Sequence, residues 1–308
     1  MARVSVVGAG VVGLTAAIRL LEAGHRVDVL ARDLPLETTS AVAAALWYPY
    51  RALPQDRVTG WSQTTYDTLA GLAGSTGSAG GTATGVRMRT GTEVFTAPTS
   101  DPWWRGAVPD LDRETALPEG YVDGWTFRTP VVEMPVHLRW LTSRVSELGG
   151  TLTRISLGAL PKGADLVVNC AGLGARLLGG DHAVTPVRGQ VVVVEQVGLD
   201  RWWLDAAGPT YVVPRSADIV VGGTDEEGDW SRTASPETAR AILARARRLV
   251  PELAGARVLR HKVGLRPVRP TVRLERVDDV IHCYGHGGAG VTLSWGTAAE
   301  VVALADAG

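Results

Sequence analysis

The sequence predicts an α/β protein of two lobes, one with a parallel sheet and one with a mixed, mainly antiparallel sheet. Three observations predict this class. A strand, a glycine turn and an amphipathic helix open the chain within a unit of about 30 residues. Buried apolar runs followed by glycine turns return at residues 164–172 and 280–288, whereas shorter strands separated by turn residues fill 187–224. The 308 residues, of which 45% are hydrophobic, suffice for two such lobes.

Composition excludes several kinds of partner. The net charge of −1, from 31 Lys and Arg against 32 Asp and Glu, gives no positive field for nucleic acid or an anionic membrane. No apolar run reaches the ~20 residues of a membrane span and no charged-then-apolar leader is present, so a cytoplasmic protein is expected. Cys170 and Cys283 lie in apolar runs, which indicates core residues and no disulfide framework or metal site.

The first unit carries a dinucleotide-binding motif. After the strand at residues 3–7, two glycines allow a tight turn and a close approach to a pyrophosphate, and a third lets the helix pack on the strand. Gly24 stops the helix and a second strand follows at residues 26–30, which gives the motif its βαβ context. The motif does not distinguish NAD from FAD. Its residues are Gly8, Ala9, Gly10, Val11, Val12 and Gly13.

The next residues suit the edge of a nucleotide site. Arg32 could meet phosphate or stack on adenine and Asp33 could bind ribose, although both could be solvated loop charges. Residues 38–47 are small, apolar and rich in hydroxyls, which suits a backbone laid along a cofactor, with a packed alanine helix as the alternative. Residues 48–128 are irregular, with a Gly/Ser/Thr-rich stretch at 71–85, and are assigned to the second lobe.

The remainder alternates between the lobes. We predict a helix at 136–148, strands at 152–157 and 164–172, strands at 187–195 and 210–224 around a turn at 215–218 with a bulge at Gly222 and Gly223, and a helix at 236–250 capped by Ser235. Residues 263–270 are extended by their prolines. Within them Arg266 and Arg269 offer planar forks for carboxylates, and structural salt bridges are their ordinary use.

Residues 280–296 are predicted to form a buried strand, a glycine loop and a helix that starts at Thr292. The free N–H groups of the first turn of this helix could bind an electron-rich ligand. A plain connection is the alternative. These motifs together resemble the FAD-dependent D-amino-acid oxidase family nearly end to end. The resemblance rests on residues 8–14, 31–35, 167–172, 188–190, 211–215, 264–270 and 284–292.

The resemblance implies a Rossmann-like FAD-binding lobe built from discontinuous segments, 1–47, 136–186 and 265–308, and an α+β substrate lobe from 48–135 and 187–264. It implies that Arg266 binds the substrate carboxylate, Tyr211 adds a hydroxyl and the Gly288 carbonyl accepts from the amine. The FAD contacts would be Gly8, Ala9, Gly10, Val11, Val12, Gly13, Arg32, Asp33, Thr38, Thr39, Ala44, Ala45, Leu46, Ile155, Ala171, Gly287, Gly288, Gly290, Val291 and Thr292.

The implied reaction is hydride transfer from the Cα of a D-amino acid to flavin N5. The imino acid then hydrolyses to a 2-oxo acid and ammonia, and O2 reoxidises the flavin to give hydrogen peroxide. No His/Asp/Ser or His/Cys constellation supplies a base, and His286 is interpreted as a loop residue. Alternatives are an oxidase of glycine, sarcosine or D-aspartate and, from another class, a nicotinamide-dependent dehydrogenase or a non-catalytic nucleotide-binding module.

Three features depart from family patterns. The connection from residue 201 to 211 is too short for the active-site lid of some members, and that from 273 to 280 is too short for the dimerisation loop of others, so a homodimer is one open arrangement. Asp225 stands where some members have an aromatic residue and an acid-preferring branch has arginine. It could favour cationic side chains in the substrate pocket, whereas a register slip would turn it to solvent.

Overall fold

Fourteen strands form one sheet within the residues that the computed structural model describes, which are 1–74, 83–205 and 207–307. The strands are β1 (Arg3–Val7), β2 (Arg26–Ala31), β3 (Val86–Phe95), β4 (Asp112–Arg113), β5 (Asp123–Val132), β6 (Thr151–Arg154), β7 (Leu166–Asn169), β8 (Thr185–Glu195), β9 (Trp202–Asp205), β10 (Thr210–Pro214), β11 (Asp218–Gly222), β12 (Glu226–Glu227), β13 (Val258–Val277) and β14 (Val280–His286). The α-helices are α1 (Val11–Glu22), α2 (Gln55–Gly74), α3 (Met134–Glu147), α4 (Ala175–Leu178), α5 (Pro236–Leu249) and α6 (Gly290–Asp306). The strand order is β4-β5-β3-β9-β10-β11-β8-β13-β14-β7-β1-β2-β6, and β12 pairs with β8.

The end of the sheet ordered β14-β7-β1-β2-β6 is parallel. Val4, Val6 and Val168 in its central strands are fully buried, which explains why these segments are nearly continuous apolar runs. The predicted unit of β1, α1 and β2 is confirmed, and Gly24 follows α1 with a φ of +89°. This end is the Rossmann-like part of the fold, and its strands come from three separate stretches of chain.

The strand β13 joins this parallel end to the antiparallel part of the sheet. Its first part pairs with β8 and its last part with β14, with a register shift between Val268 and Arg273. The extended conformation predicted for residues 263–270 is confirmed. The turn at 215–218 connects β10 and β11 as predicted, and the Gly222–Gly223 peptide, where a bulge was expected, is cis.

The prediction of irregular structure over residues 48–128 is wrong. It covers the long helix α2 and the strands β3 and β5. The helix buries a narrow stripe, Trp61, Tyr66 and Leu69, between threonines, serines and glycines, so its apolar periodicity is weak. It approaches α6 very closely, because a Cβ on Gly296 would lie 2.3 Å from the Trp61 carbonyl oxygen. Part of the predicted Gly/Ser/Thr-rich stretch, 75–82, lies outside the described residues.

Other boundaries differ by a few residues. The helices α3 and α5 confirm the predictions at 136–148 and 236–250, and the Ser235 hydroxyl accepts from the Thr238 N–H at 3.2 Å. The strand predicted at 152–157 ends at Arg154, and α6 starts at Gly290 instead of Thr292. His286 ends β14 and is buried, so its interpretation as a loop residue is wrong.

Two further predictions concern the core and the surface. Cys170 and Cys283 are buried and free, as expected of core residues. Over the described part of the chain, no helix combines the length and apolar character needed to cross a bilayer. In the same part, no cluster of three His, Cys, Asp or Glu side chains could hold a metal ion.

Candidate active site

One cavity of about 830 Å³ runs along the ends of the parallel strands and reaches under the antiparallel sheet. Its volume is in the range of small-molecule and cofactor sites. Every residue predicted above to bind cofactor or substrate lines it. These residues are Gly8, Ala9, Gly10, Val11, Val12, Gly13, Arg32, Asp33, Thr38, Thr39, Ala44, Ala45, Leu46, Ile155, Ala171, Tyr211, Asp225, Arg266, Gly287, Gly288, Gly290, Val291 and Thr292.

The glycine turn after β1 brings backbone close to this cavity. Gly8 has a φ of +115°, and a Cβ on Gly13 would lie 2.0 Å from the Gly8 carbonyl oxygen, so only glycine allows this packing of helix on strand. No side chain caps α1 at Gly10, although the Val11 N–H donates to the Ser40 hydroxyl at 3.0 Å. The helix α6 also begins at the cavity without a side-chain cap. Both helix N-termini therefore present backbone donors to an anionic or electron-rich ligand.

The outer end of the cavity is formed by residues that follow β2 and β6. Arg32 donates to Asp33 through Nη2 at 2.6 Å and through Nε at 3.1 Å. This hydrogen bond lowers the pKa of Asp33, so its carboxylate is ionised at neutral pH and can accept hydrogen bonds. Ile155, 42% exposed, lies at the same end.

Trp230 and Arg232 are among the lining residues that we did not predict. The positive charge of Arg232 helps to lower the pKa of Asp33, which places it near that carboxylate. Arg188, almost fully buried, fixes this segment by donating to the carbonyl oxygens of Ser231 and Thr233 at 3.1 and 2.6 Å. The described lining includes four arginines and two aspartates, an excess of positive charge that suits a ligand with a pyrophosphate.

Residues 38–47 form a backbone wall of the cavity. The alternative of a packed alanine helix is wrong, because a single 3₁₀ turn at Thr39–Val42 is followed by non-helical chain in which Ala45 has a φ of +57°. The Thr39 hydroxyl donates to the Leu265 carbonyl oxygen at 3.0 Å, which ties the wall to β13. At its end, the Tyr48 N–H donates to the Thr292 hydroxyl at 3.1 Å, and that hydroxyl lies 3.0 Å from the Tyr48 carbonyl oxygen.

The inner end of the cavity brings together Arg266 from β13, Tyr211 from β10 and Gly288 from the glycine loop. Arg266 is close enough to Tyr211 to oppose the rise that desolvation causes in the Tyr211 pKa. The Tyr211 hydroxyl is therefore protonated at neutral pH and can donate. A Cβ on Gly288 would lie 3.5 Å from Arg266 Cδ, so the loop backbone is adjacent to the arginine.

Arg266 and Arg269 project to opposite sides of β13 and both form ion pairs. Arg266 Nη1 donates to Asp225 Oδ1 at 2.7 Å and to the Thr224 carbonyl oxygen at 2.8 Å. Arg269 Nε donates to Asp181 Oδ2 at 2.9 Å, away from the lining of the cavity. The structural salt bridges predicted for both arginines are confirmed, but of the two only Arg266 faces the cavity.

Asp225 faces the cavity, so the alternative in which it turns to solvent is wrong. Its side chain is 15% exposed and also accepts from the Tyr50 hydroxyl, while Arg51 Nη1 lies 3.5 Å from Oδ2. Burial, and then the bond to Asp225, raises the pKa of Tyr50, so this tyrosine is a donor. Tyr50 lines the site but was missed, because nothing in the irregular segment around it signals a partner 175 residues away.

The chain is similar to known proteins over nearly its whole length. The model of the family described as FAD-dependent oxidoreductase matches residues 3–304. The chain belongs to the FAD-dependent oxidoreductase family. A D-amino-acid oxidase of Rubrobacter xylanophilus is 50% identical over 322 residues, which cover 100% of this chain and 97% of that protein. A D-amino-acid oxidase of Streptomyces coelicolor is 44% identical over 98% of this chain and 96% of that protein. A human D-aspartate oxidase is 38% identical over 98% of this chain and 94% of that protein.

Solved structures of this oxidoreductase family share the fold. Glycine oxidase from Geobacillus kaustophilus superposes with a TM-score of 0.83 at 21% identity, covering 100% of this chain and 95% of the other. At that identity the likeness concerns the fold alone. The cofactor of the family is FAD, and the cavity suits it, since two uncapped helix N-termini and an excess of arginine charge match a dinucleotide with a pyrophosphate.

Proposed function

We propose that this FAD-dependent oxidoreductase oxidatively deaminates D-amino acids. The observation that carries the proposal is the position of Arg266, beside Tyr211 and Gly288 at the inner end of a dinucleotide cavity. Similarity over the full chain to two D-amino-acid oxidases supports it. A guanidinium, a neutral hydroxyl and a backbone carbonyl are the groups needed to hold the carboxylate and amine of an amino acid.

Each of these residues has a proposed role. Arg266 binds the substrate carboxylate, Tyr211 donates to it, and the Gly288 carbonyl accepts from the amine, so that Cα–H is held towards the cofactor. When bound, FAD would supply the hydride acceptor, and its reoxidation by O2 would release hydrogen peroxide. Because the amine lone pair drives the transfer, no protein base is required, and the carboxylate beside Arg266, that of Asp225, is engaged by Arg266 and by the Tyr50 hydroxyl.

The cofactor contacts are also proposals. They are the backbone of residues 8–13 for the pyrophosphate, Arg32, Asp33, Ile155 and Ala171 for the adenosine half, and for the flavin half Thr38, Thr39, Ala44, Ala45, Leu46, Gly287, Gly288, Gly290, Val291 and Thr292. The lobe boundaries stated above are proposed with them. A cytoplasmic location is proposed because both cysteines, Cys170 and Cys283, are free thiols, which suits a reducing compartment.

Asp225 supports a substrate class within the D-amino acids. Its carboxylate lies in the substrate end of the cavity beside Arg266, so a cationic side chain could pair with it. An acidic side chain would meet a like charge, which disfavours the D-aspartate oxidase alternative despite the 38% identity of the human relative. We expect Asp225→Asn to lower kcat/KM for D-Lys and D-Arg at least ~5-fold relative to D-Met and D-Val, equivalent to about 1 kcal/mol.

The decisive experiment combines a spectrum with turnover. The purified protein should show flavin absorbance, and it should release peroxide with D-alanine or D-lysine but not with the L-enantiomers. A colourless protein that cannot be reconstituted with FAD, or equal turnover of the two enantiomers, would remove the proposal. Parallel changes across all four substrates in Asp225→Asn would remove Asp225 from the specificity pocket and leave the activity intact.

A further inference from the structure

The guanidinium proposed to bind the substrate carboxylate already binds a carboxylate of this chain. Arg266 Nη1 donates to Asp225 Oδ1 at 2.7 Å, and the two side chains are only 19% and 15% exposed. The same Nη1 donates to the Thr224 carbonyl oxygen at 2.8 Å, and the Tyr211 hydroxyl lies within hydrogen-bond reach of the guanidinium. A substrate carboxylate would therefore arrive on a cation whose charge is already balanced.

We infer that Asp225 is an internal competitor of the substrate carboxylate for Arg266. This inference rests on the proposed role of Arg266. If the substrate displaces Asp225, the ion pair must be broken. If both carboxylates stay on one guanidinium, they repel each other in a partly desolvated site. In both cases the charge of Asp225 weakens the binding of a ligand whose only charged group is a carboxylate.

The surroundings of Asp225 allow it to give up Arg266. Its Oδ2 accepts from the Tyr50 hydroxyl and lies 3.5 Å from Arg51 Nη1, whereas Arg266 contacts Oδ1. The carboxylate thus keeps a donor and a cation after it loses Arg266. Tyr50 also lies beside Gly288, since a Cβ there would be 3.1 Å from Tyr50 Cδ1, so the second anchor of Asp225 is part of the same site.

The competition selects among ligands by their charge. A substrate with a second ammonium group brings a new cation for Asp225 and restores the balance that its carboxylate disturbs. A neutral amino acid brings no such cation, an acidic one adds another repulsion, and a simple monocarboxylate without any amine meets the Asp225 charge with no compensating cation. Selection therefore works by a penalty on the wrong ligands as well as by attraction of the right one.

The test uses the FAD-loaded protein and propionate, a monocarboxylate that cannot be oxidised by this reaction. Its dissociation constant is measured by the change in flavin absorbance and by calorimetry for the wild type and for Asp225→Asn. We expect Asp225→Asn to bind propionate at least fivefold more tightly. The matched control is Asp181→Asn, which removes the partner of Arg269 outside the cavity lining and should leave the propionate affinity unchanged.

Two further variants separate the possible failures. Arg266→Ala should weaken propionate at least tenfold, and if it does not, the proposed role of Arg266 fails. If Arg266→Ala weakens propionate but Asp225→Asn leaves its affinity equal or lower, the internal competition is wrong and Asp225 only positions the arginine. Tyr50→Phe removes the second hydrogen-bond donor of Asp225, so Asp225 should hold Arg266 more firmly and propionate should bind more weakly. This variant therefore tests the competition in the opposite direction if Asp225→Asn does not fold.

Discussion

The backbone of Gly189 packs directly against the guanidinium of Arg266. A Cβ on Gly189 would be 2.5 Å from Nη2 and 2.7 Å from Cζ, distances that real contacts do not reach. The two residues belong to the paired strands β8 and β13, so the missing side chain of one makes the space for the other. Gly222 has the same relationship with Tyr211, because its Cβ would lie 2.1 Å from the tyrosine Cζ. These two glycines thus leave the space occupied by Arg266 and Tyr211, the side chains proposed to bind the substrate carboxylate.

The first prediction concerns Gly189→Ala. Because the methyl group would push the guanidinium away, we expect KM to rise at least ~10-fold, equivalent to about 1.4 kcal/mol of lost binding, while FAD remains bound. Steady-state kinetics and the flavin spectrum measure both quantities. Gly60→Ala is the control, since nothing lies within 4 Å of its Cβ. An unchanged KM in Gly189→Ala would mean that Arg266 does not have to occupy this place.

The second prediction compares the two arginines of β13. Arg266→Ala should keep FAD and lose at least ~100-fold in kcat/KM, because a charge-assisted pair in a partly desolvated site contributes several kcal/mol. Arg269→Ala, which loses only its contacts to Asp181 and Thr271, should keep substrate affinity and lower thermal stability. Similar kinetic losses in both variants would contradict the separation of the two faces.

The third prediction concerns Tyr211→Phe. A hydroxyl that donates to the substrate carboxylate does so in the ground state and the transition state alike, so KM should rise more than kcat falls. Its pKa, raised by desolvation, keeps the hydroxyl protonated over the usual assay range, and no ionisation of Tyr211 should enter the pH profile below pH 9. A large fall in kcat at constant KM would instead identify Tyr211 as an acid or base.

The fourth prediction concerns stability and pH at Glu93. This carboxyl is 1% exposed and accepts from the Tyr48 hydroxyl at 2.8 Å, and burial raises its pKa to about 7. A raised acid pKa means that the folded state keeps its proton while the unfolded state has lost it, so this group makes the protein less stable as pH rises from about 4.5 to 7.

Glu93→Gln removes that dependence. At pH 8 and saturating FAD, we expect the variant to be more stable than the wild type by about 1–3 kcal/mol, with little difference at pH 4.5. Thermal unfolding across this range gives the measurement, and the exposed Glu119→Gln serves as the control. A stability difference that does not change with pH would show that Glu93 is already ionised in the folded protein.

Local signals explain what could be predicted from the sequence. The unit of β1, α1 and β2, the turn at 215–218 and the Ser235 cap depend on glycine conformation, proline and hydrophobic period over a few residues, and all are observed. The helix α2 could not be recognised, because its buried stripe is narrow and its close contact with Gly296 depends on another part of the chain.

The site residues divide in the same way. Motifs identified the glycine loops and Arg266, because each stands in a distinctive local pattern. Tyr50 and Trp230 have no such pattern, and their places at the cavity depend on contacts with distant parts of the chain, such as the bond from Tyr50 to Asp225 and those from Arg188 to Ser231 and Thr233. Whether Asp225 faces inward depends on the register after Gly222 and Gly223, and a shift of one residue would reverse it.

The long strand β13 also limits how the enzyme can open. It is paired with β8 on one side and with β14 on the other, and it carries Arg266 in the part paired with β8. A hinge between the parallel and antiparallel ends of the sheet would have to break these ladders, so wide opening and closing of the lobes is energetically unfavourable. Amino acids should therefore reach the cofactor through a passage of fixed width, bordered by side chains of the cavity lining such as Tyr50. Exchange of substrate and product then depends on side-chain rotations, which are much faster than the movement of whole domains.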